Sequence, residues 1–180
     1  MSVEEHRADA SGERRRDFAF GLLIVSDSRT DKTDQGGPLM RTLVTGAGHR
    51  VVAQSRVRDE VDAVREAVLG FLAMPETEVV LLSGGTGFSP RDVTVEAVRP
   101  LFEREIVGFG ELFRMLSFEV VGAAAMLSRA TAGFVGTRAI FLLPGAPAAI
   151  ELALTRLVLP EIRHLLGQAR RPAVSERRST

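Results

Sequence analysis

Apolar residues in this chain fall into two kinds of run that alternate. Over residues 18–25 they are nearly continuous for the length of one strand, the pattern of a central strand buried on both faces. From Pro38 the spacing becomes helical. Leu39, Met40, Leu43 and Val44 share one face, Pro38 suits the first turn, and Gly46 or Gly48 ends the helix. Residues 49–57 read as a strand with Val51 and Val57 apolar and polar residues between, as expected nearer a sheet edge. Val61, Val64, Val68 and Leu72 predict a helix from Val61 to Ala73, closed by Pro75. Residues 79–82 form a short apolar strand. A glycine turn follows, then a helix over 94–102 with Val95, Val98 and Phe102 on one face and Thr94 as its N-cap.

Residues 109–130 are dense in apolar side chains and predict one or two core helices broken near Gly122. More than one face is apolar, which also suits a contact between subunits. Residues 139–143 are a further strand. Pro144, Gly145, Ala146 and Pro147 turn the chain into a helix over 148–159, kinked or restarted at Pro160. Ile162, Leu165 and Leu166 continue its face, and Gly167 ends it. Strands alternating with helices predict one doubly wound α/β domain over residues 18–166, its sheet mostly parallel. The polar flanks, 1–17 and 167–180, read as flexible tails.

Composition narrows the chemistry. The 23 basic and 23 acidic residues balance, so no overall field favours nucleic acid or a membrane surface. Without cysteine there is no disulfide framework, thiol nucleophile or thiolate-bound metal. His6, His49 and His164 are scattered and make no metal site. No apolar run approaches a membrane span, and the first residues lack a hydrophobic signal segment, so a cytoplasmic protein is expected.

Ligands of doubly wound sheets bind beyond the carboxyl ends of the strands. Ser26 and Asp27, then Asp59, then the 83–92 loop, then Pro144 and Gly145 all follow strands directly, and should share one rim. Taken singly, Asp27 and Asp59 read as loop caps. The 83–92 loop is richer. Gly84, Gly85 and Gly87 allow positive φ and close approach to a ligand, and strand, glycine turn and helix start place backbone N–H groups against an anion. Such a turn can also serve helix–sheet packing alone. It lacks the Lys-Ser/Thr ending of a P-loop, and Pro90 stands where a dinucleotide fingerprint needs Gly or Ala. Asp92 beside an anion site calls for an intervening metal ion or proton, and a loop with both features suggests a polyphosphate handled with Mg²⁺.

The segments 83–94, 108–114 (GFGELFR), 126–130 (MLSRA), Ala132-Gly133 and 143–145 (LPG), together with 26–30 (SDSRT), resemble the MoaB/Mog family of molybdenum-cofactor biosynthesis. The resemblance runs over residues 18–166, and the form of the GFGELFR motif is closer to the MoaB branch. It implies a three-layer α/β/α molybdopterin-binding fold and a homotrimer or dimer of trimers. It implies adenylyl transfer from Mg-ATP to molybdopterin with release of pyrophosphate, and a molybdenum-insertion protein as a candidate partner. On the matching positions, Asp59 and Asp92 become the essential carboxylates and Mg²⁺ ligands. Ser26, Asp27, Ser83, Gly84, Gly85, Thr86, Gly87, Pro144 and Gly145 become the pterin and nucleotide contacts. Ala146 departs from the pattern, since related active members often carry Asn there. The same fold also serves modules that bind or carry a pterin without chemistry, and the competence-damage family, so fold alone does not decide.

Overall fold

The computed structural model describes residues 17–30 and 32–171. The arginine run at Arg14, Arg15 and Arg16, and most of both expected tails, lie outside the described residues. Six strands form one sheet in the order β2-β1-β3-β6-β5-β4. They are β1 (Ala19–Val25), β2 (Arg50–Val57), β3 (Val79–Ser83), β4 (Arg104–Glu105), β5 (Thr131–Val135) and β6 (Arg138–Leu143). The first four in spatial order are parallel, and β5 and β4 add an antiparallel edge. Every residue of β1 is buried, as its unbroken apolar run requires, and the mixed sequence of β2 lies at the other edge.

Side-chain alternation along the strands splits the core in two. Phe20, Leu22 and Ile24 point to one face, against α1 (Gly36–Gly46), α4 (Val107–Val121), α5 (Pro147–Ala153) and α6 (Leu159–Ala169). Leu23 and Val25 point to the other, against α2 (Val61–Ala73) and α3 (Thr94–Val98). Helices on both faces of the sheet give three layers, α/β/α. Burying each large aliphatic side chain contributes about 1.5–3 kcal/mol, so the two cores fix the rim on which the strands end.

Three expectations need correction, and two strands carried no sequence signal. Val93, not Thr94, is the N-cap of α3, and this helix gives way at Arg99 to a 3₁₀ turn. The strands β4 and β5 carry no strong apolar alternation, and they are held by pairing rather than pattern. Gly167 does not end the last helix. The helix runs to Ala169, and Arg170 pairs with Glu78 and lies over the Phe18 ring. The apolar stretch after Phe109 does break at Gly122, with φ +60, but only part of it is core. Leu112, Met115, Phe118, Val120, Val121, Met126 and Leu127 are exposed on α4 and the 3₁₀ segment Gly122–Leu127. Among the described residues, no helix is long and apolar enough to cross a membrane.

Candidate functional site

The loop after β3 is anchored at its root by two glycines. Gly84 (φ +111) and Gly85 (φ +64) occupy backbone space that other residues rarely enter. A Cβ on Gly84 would lie 2.1 Å from Val25 O, so any side chain there collides with the end of β1. The Gly84 N–H donates to Leu143 O at 3.0 Å. Thr94 closes the loop from its far end. Its N–H donates to Gly85 O at 3.0 Å and its hydroxyl to Gly84 O at 2.8 Å. The threonine expected to cap a helix thus ties the loop shut.

At the tip, Asp92 orders its own turn. Ser89 N–H donates to Asp92 Oδ2 and Asp92 N–H returns a bond to Ser89 O, both at 2.8 Å. Arg129, at the end of the 3₁₀ segment, holds the loop from behind. Its N–H donates to Thr86 O at 3.2 Å, its Nε to Gly87 O at 2.7 Å and its Nη2 to Asp92 O at 2.8 Å. Its remaining terminal nitrogen pairs with Glu96, whose carboxyl the guanidinium holds below its ordinary pKa. Phe88, exposed at the loop tip, lies against the same guanidinium at 5.3 Å.

Three carboxylates gather around this loop. Asp27 N–H donates to Asp59 Oδ2 at 2.9 Å and Asp59 N–H to Asp27 Oδ1 at 3.3 Å, a reciprocal pair linking the ends of β1 and β2. Asp59 titrates above its ordinary value. Burial is the main cause, and the charges of Asp27 and Asp92 add to it, against the opposing bond from the Asp27 backbone and the field of Arg91. A Cβ on Gly85 would lie 2.9 Å from Asp59 Oδ1, and one on Gly87 would lie 2.8 Å from Asp92 Oδ2. The glycines therefore leave the space in front of both carboxylates open. Arg91 and Arg58 stand near Asp27 at 3.7 and 3.6 Å.

The other expected residues join the same rim. The Ser26 hydroxyl accepts the N–H groups of Ser28 and Arg29 at 3.3 and 3.1 Å and turns the chain out of β1. Ser83 is fully buried, and its hydroxyl reaches Pro144 O at 3.5 Å. Gly145 O accepts from Arg29 Nη2 at 2.7 Å. Thr86 is buried and contributes its carbonyl, bound by Arg129, to the loop's support. The partners of Arg29, Arg114 and Arg129 lie 14 to 116 positions away, so sequence alone does not rank these arginines as ligands of the site.

This donor set fits Mg²⁺. The described residues hold no cluster of three or more His, Cys, Asp or Glu able to enclose a metal ion. Mg²⁺ keeps several waters and takes one or two carboxylates plus substrate phosphates, which is what open carboxylates beside backbone amides offer.

Comparison with known proteins bears on the family and the fold. A family model described as "Probable molybdopterin binding domain" matches residues 21–164. "Molybdenum cofactor biosynthesis protein B" of Bacillus subtilis is 45% identical over 172 residues, spanning 95% of this chain and 99% of that protein. A crystal structure of a molybdenum cofactor biosynthesis protein B superposes with a TM-score of 0.86 at 41% identity, covering 89% of this chain and all of the other. The tungsten cofactor synthesizing protein MoaB of Pyrococcus furiosus superposes at 0.75 with 34% identity over 88% of this chain and 100% of its own. The chain belongs to the MoaB/Mog family of molybdenum-cofactor biosynthesis proteins.

Proposed function

We propose that this protein adenylylates molybdopterin with Mg-ATP. A phosphate oxygen of the pterin attacks the α-phosphorus, the bond from that phosphorus to the β-phosphate bridging oxygen breaks, and pyrophosphate leaves with the electron pair. The observation that carries this reading is the open acidic corner: Asp59 and Asp92 face space that only Gly85 and Gly87 keep clear. Asp59 and Asp92 would hold Mg²⁺, which when bound offsets the charge of the triphosphate and of departing pyrophosphate. The chain's own part is positioning. Gly84 to Gly87 bring main chain close to phosphate oxygens, Thr94 and Arg129 fix that main chain, and Asp27 holds Asp59 in place.

The test is single-turnover adenylylation, with ATP consumed only when molybdopterin is present and adenylylated pterin recovered with pyrophosphate. Asp59→Asn and Asp92→Asn should each lower turnover by about a hundredfold or more. The double variant should be far less than additively worse if both serve one ion. Wild-type turnover in both single variants would remove the carboxylate assignment.

A second reading, a carrier that binds molybdopterin without chemistry, draws on the bond from Ser89 N–H to Asp92 Oδ2, which already gives Asp92 a structural task. Pterin binding without ATP consumption would favour it. On either reading, the exposed apolar face of α4 and the 3₁₀ segment is suited to contact between copies of the chain, in a trimer or dimer of trimers.

A further inference from the structure

The GFGELFR motif, residues 108–114, has no part in the site described so far, and MLSRA, residues 126–130, enters it only through Arg129. The structure brings the two motifs together behind the glycine loop. Arg114, on α4, donates through Nη1 to Ala130 O at 3.2 Å and to Ser128 O at 3.5 Å. These two carbonyls flank Arg129, the residue that holds the loop. The chain there is extended, with Ser128 at φ −86 and ψ 124. In extended chain the carbonyls before and after a residue point to one side, and that residue's own N–H points to the other. Here the first side faces Arg114. The second faces the loop, where the Arg129 N–H donates to Thr86 O at 3.2 Å and its side chain goes on to Gly87 O and Asp92 O.

Gly110 makes room for this contact. It lies one helical turn before Arg114. A Cβ there would come 3.0 and 3.1 Å from the two terminal nitrogens of Arg114 and 2.7 Å from Ala130 O. A side chain at 110 would therefore push the guanidinium off the carbonyls. The helix that carries both residues is anchored by Phe109 and Phe113, which are buried in the core, and the Phe109 ring meets Phe141 of β6 edge-on at 5.2 Å. Glu96 and Glu105 line the same cleft as Arg114 but are paired with Arg129 and Arg99. Arg114 thus turns its charge on main-chain oxygens, and a charged donor holds them about twice as strongly as a neutral one.

We infer that Arg114 is a positioning residue for the loop that carries Asp92, acting through the 128–130 segment and Arg129 and touching no ligand itself. The line of support runs from the sheet through α4 and Arg114 to the two carbonyls, and from Arg129 to both ends of the loop tip. Its effect on rate rests on the adenylyl-transfer reading; the brace itself does not.

The experiment pairs adenylylation kinetics with hydrogen exchange of the ligand-free protein. Arg114→Ala should lower kcat by about tenfold and leave the KM for ATP and for molybdopterin within about twofold, since positioning acts on the reacting geometry and on neither ligand's contacts. Arg114→Lys, which keeps a charged donor, should recover part of the rate. Arg114→Ala combined with Arg129→Lys should be no more than about twofold slower than Arg129→Lys alone, because both changes break one line of support. Without ligand, the Arg129 amide should exchange about tenfold faster in Arg114→Ala while the Gly84 amide keeps its wild-type rate. Gly110→Ala keeps the guanidinium but fills its seat; it should reproduce the exchange pattern, and it serves as the test should Arg114→Ala fail to fold. A wild-type kcat in Arg114→Ala, a raised KM for one substrate, or losses that multiply in the double variant overturns the inference. Unchanged exchange at Arg129 overturns it whatever the activity. Faster exchange there in a protein that makes no adenylylated product would leave the brace standing and remove the adenylyl-transfer reading instead.

Discussion

The Arg129 side chain donates to the main-chain oxygen of Asp92 at 2.8 Å, across 37 positions of sequence. The same guanidinium reaches Gly87 O, so both ends of the 87–92 tip hang from one side chain. Arg129 binds this tip through its main-chain oxygens, pairs with the Glu96 carboxylate, and acts as a positioning residue for the loop.

Arg129→Lys should lower the adenylylation rate by about a hundredfold, because a point charge on a flexible stem cannot serve two carbonyls and Glu96 together, and an ångström-scale shift of a reacting group has that effect. Trypsin should then cut after Arg91 much faster than in the wild type, while melting shifts by only a few degrees. A variant that keeps both its rate and its resistance to trypsin would show that the loop holds itself.

The carboxyl of Asp59 titrates above its ordinary value, so the folded state binds its proton more readily than the unfolded chain. Its contribution to stability therefore falls as pH rises from the ordinary aspartate range through the raised folded value, and at neutral pH the ionised group is a cost. Asp59→Asn keeps an oxygen for the Asp27 N–H and removes the charge. Without ligand at pH 7 it should melt at or above the wild-type temperature, and added Mg²⁺ should raise the wild type more than the variant. The chain has no Trp or Tyr, so the melts are best followed by calorimetry or far-ultraviolet circular dichroism. A clearly lower melting temperature for the variant would contradict this account.

Ala146 is the N-cap of α5, with extended backbone (φ −72, ψ 131) and no side-chain cap. Asn in that position can accept from the first turn of the helix and should stabilise the protein by about 1 kcal/mol. Ala146→Asn should accordingly raise the melting temperature by about 2–4 °C. No rise would mean that the Pro144–Pro147 turn forbids the capping rotamer.

On α4, Phe118 and Val121 are exposed at 61% and 56%. Phe118→Glu paired with Val121→Glu should leave the circular dichroism spectrum unchanged and convert an oligomer to monomer in analytical ultracentrifugation. A wild-type monomer at micromolar concentration would end the subunit-contact reading.

Much of this was legible in the sequence because it depended on local pattern. The unbroken apolar run of β1 gave its central place, the polar residues of β2 gave its edge, and valines at helical spacing gave α2 its bounds. The rim followed from topology, since every candidate residue sits at the carboxyl end of a strand or in the loop that follows it. What was hidden depended on distant partners. The strands β4 and β5 pair through backbone bonds that small residues such as Ala132 and Gly133 do not advertise. Thr94 looks like a cap until Gly84 O is placed opposite its hydroxyl. Apolar density around Phe118 reads the same whether its face meets the sheet or open solvent. The arginines could not be ranked until their carbonyl and carboxylate partners were in place.

The root of the glycine loop is stitched into the sheet rather than hung from it. Gly84 continues β3, donates to the last carbonyl of β6, and leaves room only for the last carbonyl of β1. Its amide hydrogen can exchange with deuterium only when the sheet itself comes apart, so it should be among the slowest in the chain, with the central strands as its peers. Heat that frays the loop tip near Phe88 should leave this root intact. Irreversible loss of the loop root and melting of the whole domain should then be one event, at one temperature.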